Sequence, residues 1–164
     1  MSNFDDLLSA NQTFAEEFDR SGLPGAAAAR VGMVTCMDSR IDPLAMVGLG
    51  IGDAKIVRNP GGRVTDAALE AMVLGVHLLG VERIMVVPHT RCAVASNTEA
   101  ELRQKLADAS GQDVSDVPLP VTDDQDAALA DDVRRLREHP LVPDSVSVAG
   151  FLYDVDTGTL TQKV

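Results

Sequence analysis

The stretch Val31-Gly-Met-Val-Thr-Cys36-Met-Asp38-Ser-Arg40 constrains the chain more than any other. Its first half is a short apolar run with β-branched residues, as expected for a strand covered on both faces. Met33 and Val34 are the expected buried centre of that strand. Its second half sets a soft metal ligand, an acid and that acid's natural bidentate partner directly at the strand's carboxyl end. In open parallel sheets, ligand crevices form at that end. A second apolar strand, Arg83-Ile-Met-Val-Val-Pro88, ends the same way, in His89-Thr-Arg-Cys92. Both cysteines of the chain therefore fall just beyond strands, and a histidine stands three residues before the second.

The elements around these two strands follow from local patterning. A broken helical stripe of Phe4, Leu7, Leu8, Phe14, Ala15 and Phe18 predicts an N-terminal helical arm within residues 1–25, stopped by Gly22, Pro24 and Gly25. Asp42-Pro43 is preferred chemistry for a helix start, and the short helix it opens should end near Gly48 to Gly50. A strand over 54–58 leads to the tight loop Asn59-Pro-Gly-Gly62-Arg63. Thr65-Asp66 caps a helix over 67–79 that presents Leu69, Met72, Val73, Val76 and Leu79 on one face, with Gly80 as its stop. A helix is expected over 94–106, a polar loop over 111–120, and a helix over 124–139. A strand over 145–153 then turns at Asp156-Thr-Gly158 into an edge hairpin over 159–164. Strands alternating with helices at this spacing predict one α/β domain over 1–164. It should hold a mainly parallel central sheet flanked by helices, with an antiparallel C-terminal edge.

Composition narrows the partners. The formal net charge of −11 argues against nucleic acid and anionic membrane surfaces, which both require basic patches. There is no apolar window of eighteen residues, so no membrane span is expected. The first residues, Met1-Ser-Asn-Phe-Asp-Asp, are acidic where a secretory signal is basic. A cytoplasmic location with both cysteines reduced is therefore expected. Four phenylalanines and one tyrosine leave a mostly aliphatic core, to which a second copy of the chain could add burial. Arg40, Arg58, Arg63 and Arg91 gather near the two strand ends, a basic pocket suited to a small anionic substrate or product. For Arg58 and Arg63 the alternative is that they only balance local carboxylates.

Cys36, His89 and Cys92 form a Cys2His set, the donor types that zinc accepts. Singly, each is weak evidence, because a lone cysteine after a strand is usually a small buried residue. Jointly, at two strand ends, they point to a metal. Three ligands rather than four favour a catalytic zinc with an open position, unless Asp38 closes the shell. Asp38 and Arg40 read either as a surface salt bridge worth little or as a pair beside the metal. In the second reading Arg40 holds the carboxylate off the ion, and Asp38 accepts a hydrogen bond from its water. Zinc lowers the pKa of such a water to roughly 7 and makes hydroxide a nucleophile for a small electrophilic carbon.

Cys-Met-Asp-Ser-Arg, then Arg-Asn-Pro-Gly-Gly, then His-Thr-x-Cys, in that order, resembles the β-class carbonic anhydrases. The likeness runs motif by motif over residues 31–95, and the order of elements fits to the C-terminus. It implies a parallel-centred α/β fold, a homodimer or multiple of dimers, and hydration of CO2 to bicarbonate with one zinc ion per subunit. By the resemblance Cys36, His89 and Cys92 match the zinc ligands, and Asp38 and Arg40 match the catalytic dyad. Gly61 falls in the loop beside the substrate pocket.

Two departures stand out. The family often has Asp-Cys-Gly where this chain has Arg91-Cys92-Ala93. If the position of Ala93 requires positive φ, its methyl group shifts the backbone beside the ligand. Arg91 either adds positive potential for bicarbonate or points to solvent. Neither change removes a ligand or the dyad. His77 reads as structural, and His139 as a helix-end residue suited to the dipole. The rival activity on the same fold is hydrolysis of CS2 or COS. Rivals of another kind are a non-catalytic zinc-binding or bicarbonate-sensing module and, weakest, a Cys36–Cys92 redox disulfide.

Overall fold

A computed structural model of the chain describes residues 3–164. Met1 and Ser2, the first two residues of the expected arm, lie outside the described residues. Five strands form one sheet: β1 (Val31–Cys36), β2 (Ala54–Asn59), β3 (Arg83–Val87), β4 (Ser147–Tyr153) and β5 (Leu160–Gln162). They are ordered β2-β1-β3-β4-β5. The first four run parallel, and β5 pairs antiparallel with β4. The mainly parallel sheet with an antiparallel C-terminal edge is as the sequence predicts.

The apolar run that opens the motif explains the place of β1. All six of its residues are buried, because β1 has a parallel neighbour on each side and covered faces above and below. From β1 the chain steps one way to β2, then crosses back over to β3. The carboxyl ends of β1 and β3 therefore diverge into a crevice at the switch point of the sheet. Cys36 ends β1, and His89 lies two residues beyond β3.

Two helices close the core. Helix α2 (Asp66–Leu78) starts at Thr65, whose hydroxyl accepts from the Ala68 amide, and buries Ala68, Leu69 and Met72. Helix α4 (Gln125–Arg137) starts at Asp124, whose carboxylate accepts from the Ala127 amide, and buries Leu129, Val133 and Leu136. These residues pack with Val34, Ile84 and Val86 of the sheet in one aliphatic cluster. Fully burying each large member contributes about 1.5–3 kcal/mol.

Two local expectations change. The helix expected over 94–106 begins later, as α3 (Glu99–Ser110), because Thr98 and Glu101 form a reciprocal capping box there. Residues 93–97 instead turn tightly, with the Ala95 and Ser96 amides donating to the Cys92 carbonyl. After Asp42, whose carboxylate accepts from the Leu44 and Ala45 amides, only a single 3₁₀ turn forms, Ala45–Val47. Gly48, at φ +70°, ends it. The N-terminal arm is helical as expected, as α1 (Asp5–Glu16), and none of its residues is buried. Phe4, Leu7, Leu8, Phe14 and Phe18 all lie exposed. Among the described residues no helix is long and apolar enough to cross a membrane.

Candidate metal and catalytic site

The crevice between β1 and β3 gathers Cys36, His89 and Cys92, all buried. Their ligand atoms lie within 4.8 Å of one another. The two Sγ atoms are 4.0 Å apart, and both cysteines are free. Nδ1 of His89 is 2.9 Å from the Thr90 carbonyl oxygen. A carbonyl only accepts, so Nδ1 carries the proton and Nε2 keeps its lone pair. Nε2 is buried without a hydrogen-bond partner. A fully buried imidazole nitrogen left bare beside two thiols is costly unless something binds it. The three donors suit a borderline-soft divalent cation.

The two thiols do not titrate alike. The hydrogen bond with Cys92 pulls Cys36 far down, helped by His89 and by the Asp38 and Gly61 backbone. The same Cys36 contact, followed by burial, pushes Cys92 up. The first proton of the pair leaves easily and the second is held, until a cation takes its place.

Arg40 grips Asp38 as a fork, with Nε donating to Oδ1 at 2.9 Å and Nη2 to Oδ2 at 2.7 Å. The Arg40 amide adds a third bond to Oδ1 at 2.9 Å. These contacts, the guanidinium first, hold the Asp38 carboxyl far below the usual carboxylate range. Asp38 Oδ2 lies 3.8 Å from His89 Nε2. That is too long for a hydrogen bond but close enough to face whatever Nε2 binds.

The surrounding loops hold this arrangement. Asn59 closes the glycine loop on itself, accepting from the Arg63 amide at 2.9 Å and donating to the Arg63 carbonyl at 2.7 Å. Gly61 and Gly62 take φ +80° and +65° there, which favours glycine. A Cβ on Gly62 would sit 3.0 Å from the Cys36 amide nitrogen and 3.2 Å from the Val87 carbonyl oxygen. Gly61 lines the site cavity of about 480 Å³, together with Met37, Asp38, Arg40, His89 and Val94.

The arginines divide. Arg58 donates to the carbonyls of Cys36, at 3.0 Å, and Asp38, at 2.6 Å, bracing the turn that carries both. Arg63 does not join the basic pocket: it turns away and pairs with Asp132 of α4 at 2.6 Å. Arg91 pairs with Asp156 in the β4–β5 turn. Ala93 does not take positive φ, so its methyl group imposes no such strain; beside Cys92 the positive φ is at Arg91, +54°. The Arg91 carbonyl then accepts from Arg40 Nη2 at 3.3 Å. His77 is structural, its Nε2 meeting the Leu141 carbonyl at 2.7 Å.

Two supports escaped the sequence reading. Gln125, at the start of α4, donates to the His89 carbonyl at 3.0 Å. Thr90 accepts from the Val155 amide through its hydroxyl at 3.2 Å. Both contacts span dozens of residues, and no local pattern announces either. Asn59 ahead of Pro-Gly-Gly did carry a signal, since Asn side chains readily close turns on their own backbone.

The family model described as carbonic anhydrase matches residues 31–160. Beta-carbonic anhydrase 1 of Mycobacterium tuberculosis is 30% identical over 162 residues, 99% of this chain and 98% of that protein. The chain belongs to the β-carbonic anhydrase family. A crystal structure of carbonic anhydrase from Streptococcus mutans superposes with a TM-score of 0.90 at 36% identity, covering 100% of this chain and 99% of that one. A carbon disulfide hydrolase of Acidithiobacillus thiooxidans is 30% identical over 152 residues, 80% of this chain and 75% of that protein. In sequence the β-carbonic anhydrase 1 match covers 99% of the chain and the hydrolase match 80%, although in structure a carbon disulfide hydrolase matches 97% of it with a TM-score of 0.70. The Cys-x-Asp-x-Arg and His-x-x-Cys segments of the chain are the two that converge in the crevice.

Proposed function

We propose that the protein hydrates CO2 reversibly to bicarbonate and a proton, with zinc held by Cys36, His89 and Cys92. The observation that carries this reading is the bare, buried His89 Nε2 facing two thiols, with a forked Asp38–Arg40 pair at its edge. When bound there, zinc supplies the Lewis acidity that ionises water near neutral pH.

The chain's own groups do the rest. Asp38 is kept ionised by the Arg40 fork, so it can only accept a hydrogen bond, and Oδ2 orients the attacking oxygen by accepting a hydrogen bond from it. Arg40, anchored to the Arg91 carbonyl, keeps that carboxylate from swinging inward. Arg58 stiffens the turn from Cys36 to Asp38. Gly61 leaves room for a small linear substrate beside the ligands; a Cβ there would meet Val94 at 3.5 Å, an ordinary van der Waals contact, and would take up part of that space. A purely structural metal needs no such pair, which weighs against a non-catalytic module.

Stopped-flow CO2 hydration on zinc-quantified protein, run beside CS2 hydrolysis, tests the reading. The expected result is rapid hydration and little or no CS2 turnover. CS2 turnover without CO2 hydration would transfer the site to the hydrolase activity.

The unpartnered apolar face of α1 supports a second proposal, that the chain works as a homodimer or a multiple of dimers. Exposing Leu7, Leu8 and Phe14 on one helix, with Phe4 and Phe18 flanking it, is unfavourable without a covering surface.

A further inference from the structure

The backbone that carries His89 is pinned from two sides. The carbonyl of the His89–Thr90 peptide accepts from Gln125 Nε2 at 3.0 Å, and the amide of the same peptide donates to the Tyr153 carbonyl at 2.9 Å. That plane is held at both edges, once by α4 and once by the carboxyl end of β4. The Tyr153 amide donates back to the Pro88 carbonyl at 3.0 Å, so β4 goes on pairing past the end of β3, with His89 against Tyr153. Beyond it the Thr90 hydroxyl accepts from the Val155 amide at 3.2 Å, and Arg91 pairs with Asp156. Pro88, Thr90 and Arg91 thus meet Tyr153, Val155 and Asp156 in step.

The turn that supplies Val155 and Asp156 closes on itself. The Asp154 carboxylate accepts from the Asp156 amide at 2.8 Å and the Thr157 amide at 3.3 Å, and its carbonyl accepts from the Gly158 amide at 2.8 Å. An Asp side chain bonded to its own following backbone fixes such a turn. With the His89–Thr90 plane held and the Thr90 hydroxyl tied to Val155, the direction of the Thr90 carbonyl depends on one torsion, its ψ. On the far side of that torsion Arg91 is held at φ +54°, its carbonyl on Arg40 and its side chain on Asp156. The Thr90 carbonyl is the partner of His89 Nδ1, at 2.9 Å. Because His89 is fully buried, no solvent stands ready to replace that acceptor. A carbonyl turned aside would free the ring to rotate, or to carry its proton on Nε2, the nitrogen a metal needs bare.

We propose that Thr90 is a positioning residue for the metal and that the β4–β5 turn sets it: the turn aims the Thr90 carbonyl at Nδ1, which keeps Nε2 bare and pointed at the two thiols. The proposal rests on the zinc reading of the site. A ligand ring already held in one tautomer and one orientation binds without first being ordered. Removing the Thr90 hydroxyl, or loosening the turn, therefore weakens the hold on zinc, although neither change touches a ligand or the Asp38–Arg40 pair.

Competition for zinc against a chromophoric chelator, on the full chain, reads this directly. Thr90→Val exchanges the hydroxyl for a methyl group of similar size and should bind zinc about 10–100-fold more weakly. Thr90→Ser keeps the acceptor and should stay within about threefold of the wild type. In protein labelled with 15N-histidine, the metal-free wild type should show a slowly exchanging Nδ1 proton from His89, and Thr90→Val should lose it. A Thr90 that merely supports the fold would lower the urea midpoint of Thr90→Val and leave zinc affinity and the Nδ1 proton as in the wild type; that result overturns the proposal. Thr90→Ser as weak as Thr90→Val overturns it too, because the hydroxyl is then not the cause. Asp154→Ala loosens the turn from its outer end and decides the matter should Thr90→Val not fold. It should bind zinc about threefold or more weakly, and unchanged affinity there overturns the proposal. Wild-type protein that takes no zinc would overturn the zinc reading and this proposal with it. Zinc binding without CO2 hydration would overturn the assigned activity alone, with the variants' affinities still deciding the role of Thr90.

Discussion

Arg40 and Asp38 face each other at 2.7 and 2.9 Å across a two-pronged contact, and the same guanidinium reaches the carbonyl of Arg91, one residue from Cys92. One side chain therefore ties the loop after β1 to the loop after β3. The distance between the ligand-bearing strand ends and the direction of the Asp38 carboxylate are set together. Disturbing the pair changes the acceptor without removing a ligand, which separates the metal from the chemistry in experiment.

Removal of a ligand is the first test. Cys92→Ser replaces a thiolate with a neutral hydroxyl, a poor zinc donor. Elemental analysis after dialysis should show zinc dropping from about one per chain to a small fraction. A variant that keeps full occupancy would remove Cys92 from the ligand set.

The pair itself predicts a pH response. Arg40 depresses the folded-state pKa of Asp38. The associated stability is present above the unfolded carboxylate value of about 3.9 and is lost only as pH falls through the lower folded value. Asp38 is thus ionised throughout the range of about pH 6.5 to 9, and any rise in wild-type hydration there belongs to the ionising water. Arg40→Ala frees the carboxylate to compete for the ligand cluster, so activity should rise later and stay lower. Asp38→Ala should keep its zinc yet lose about 10–100-fold in turnover. An Asp38→Ala enzyme with full zinc and full activity would end the dyad mechanism.

Gly62 offers a test of the scaffold. At φ +65° its added Cβ would press on the Cys36 amide, the Thr35 carbonyl carbon and the Val87 carbonyl oxygen, at 3.0, 3.1 and 3.2 Å. All three are backbone atoms of β1 and β3 and cannot move aside singly. Gly62→Ala should lower stability by about 1–3 kcal/mol, seen as a lower urea midpoint with an unchanged slope. An unshifted midpoint would mean that the loop relaxes freely.

Assembly is tested by removing the arm. With no residue of α1 buried, deleting residues 1–20 should cost the single chain little and a dimer much. Sedimentation at micromolar concentration should find the full chain at least dimeric and the truncated chain shifted towards monomer. A monomeric full chain would refute the proposal.

The sequence by itself determined the strands and the core helices, though not where α3 begins, and it grouped the candidate site residues. Apolar runs with β-branched residues make buried strands wherever they occur, and Thr65 and Asp124 cap helices through bonds within a few residues. Cys36, Asp38, Arg40, His89 and Cys92 could be read as one group because each lies within five residues of a strand end, and parallel strands bring their carboxyl ends together. What only the tertiary structure decided are the pairings between distant segments. Arg63 reaches Asp132 across 69 positions and Arg91 reaches Asp156 across 65, so whether either arginine faced the pocket was not written near it. The positive φ at Arg91, and the contact of its carbonyl with Arg40 Nη2 at 3.3 Å, join segments 51 positions apart and are likewise not legible from the local sequence.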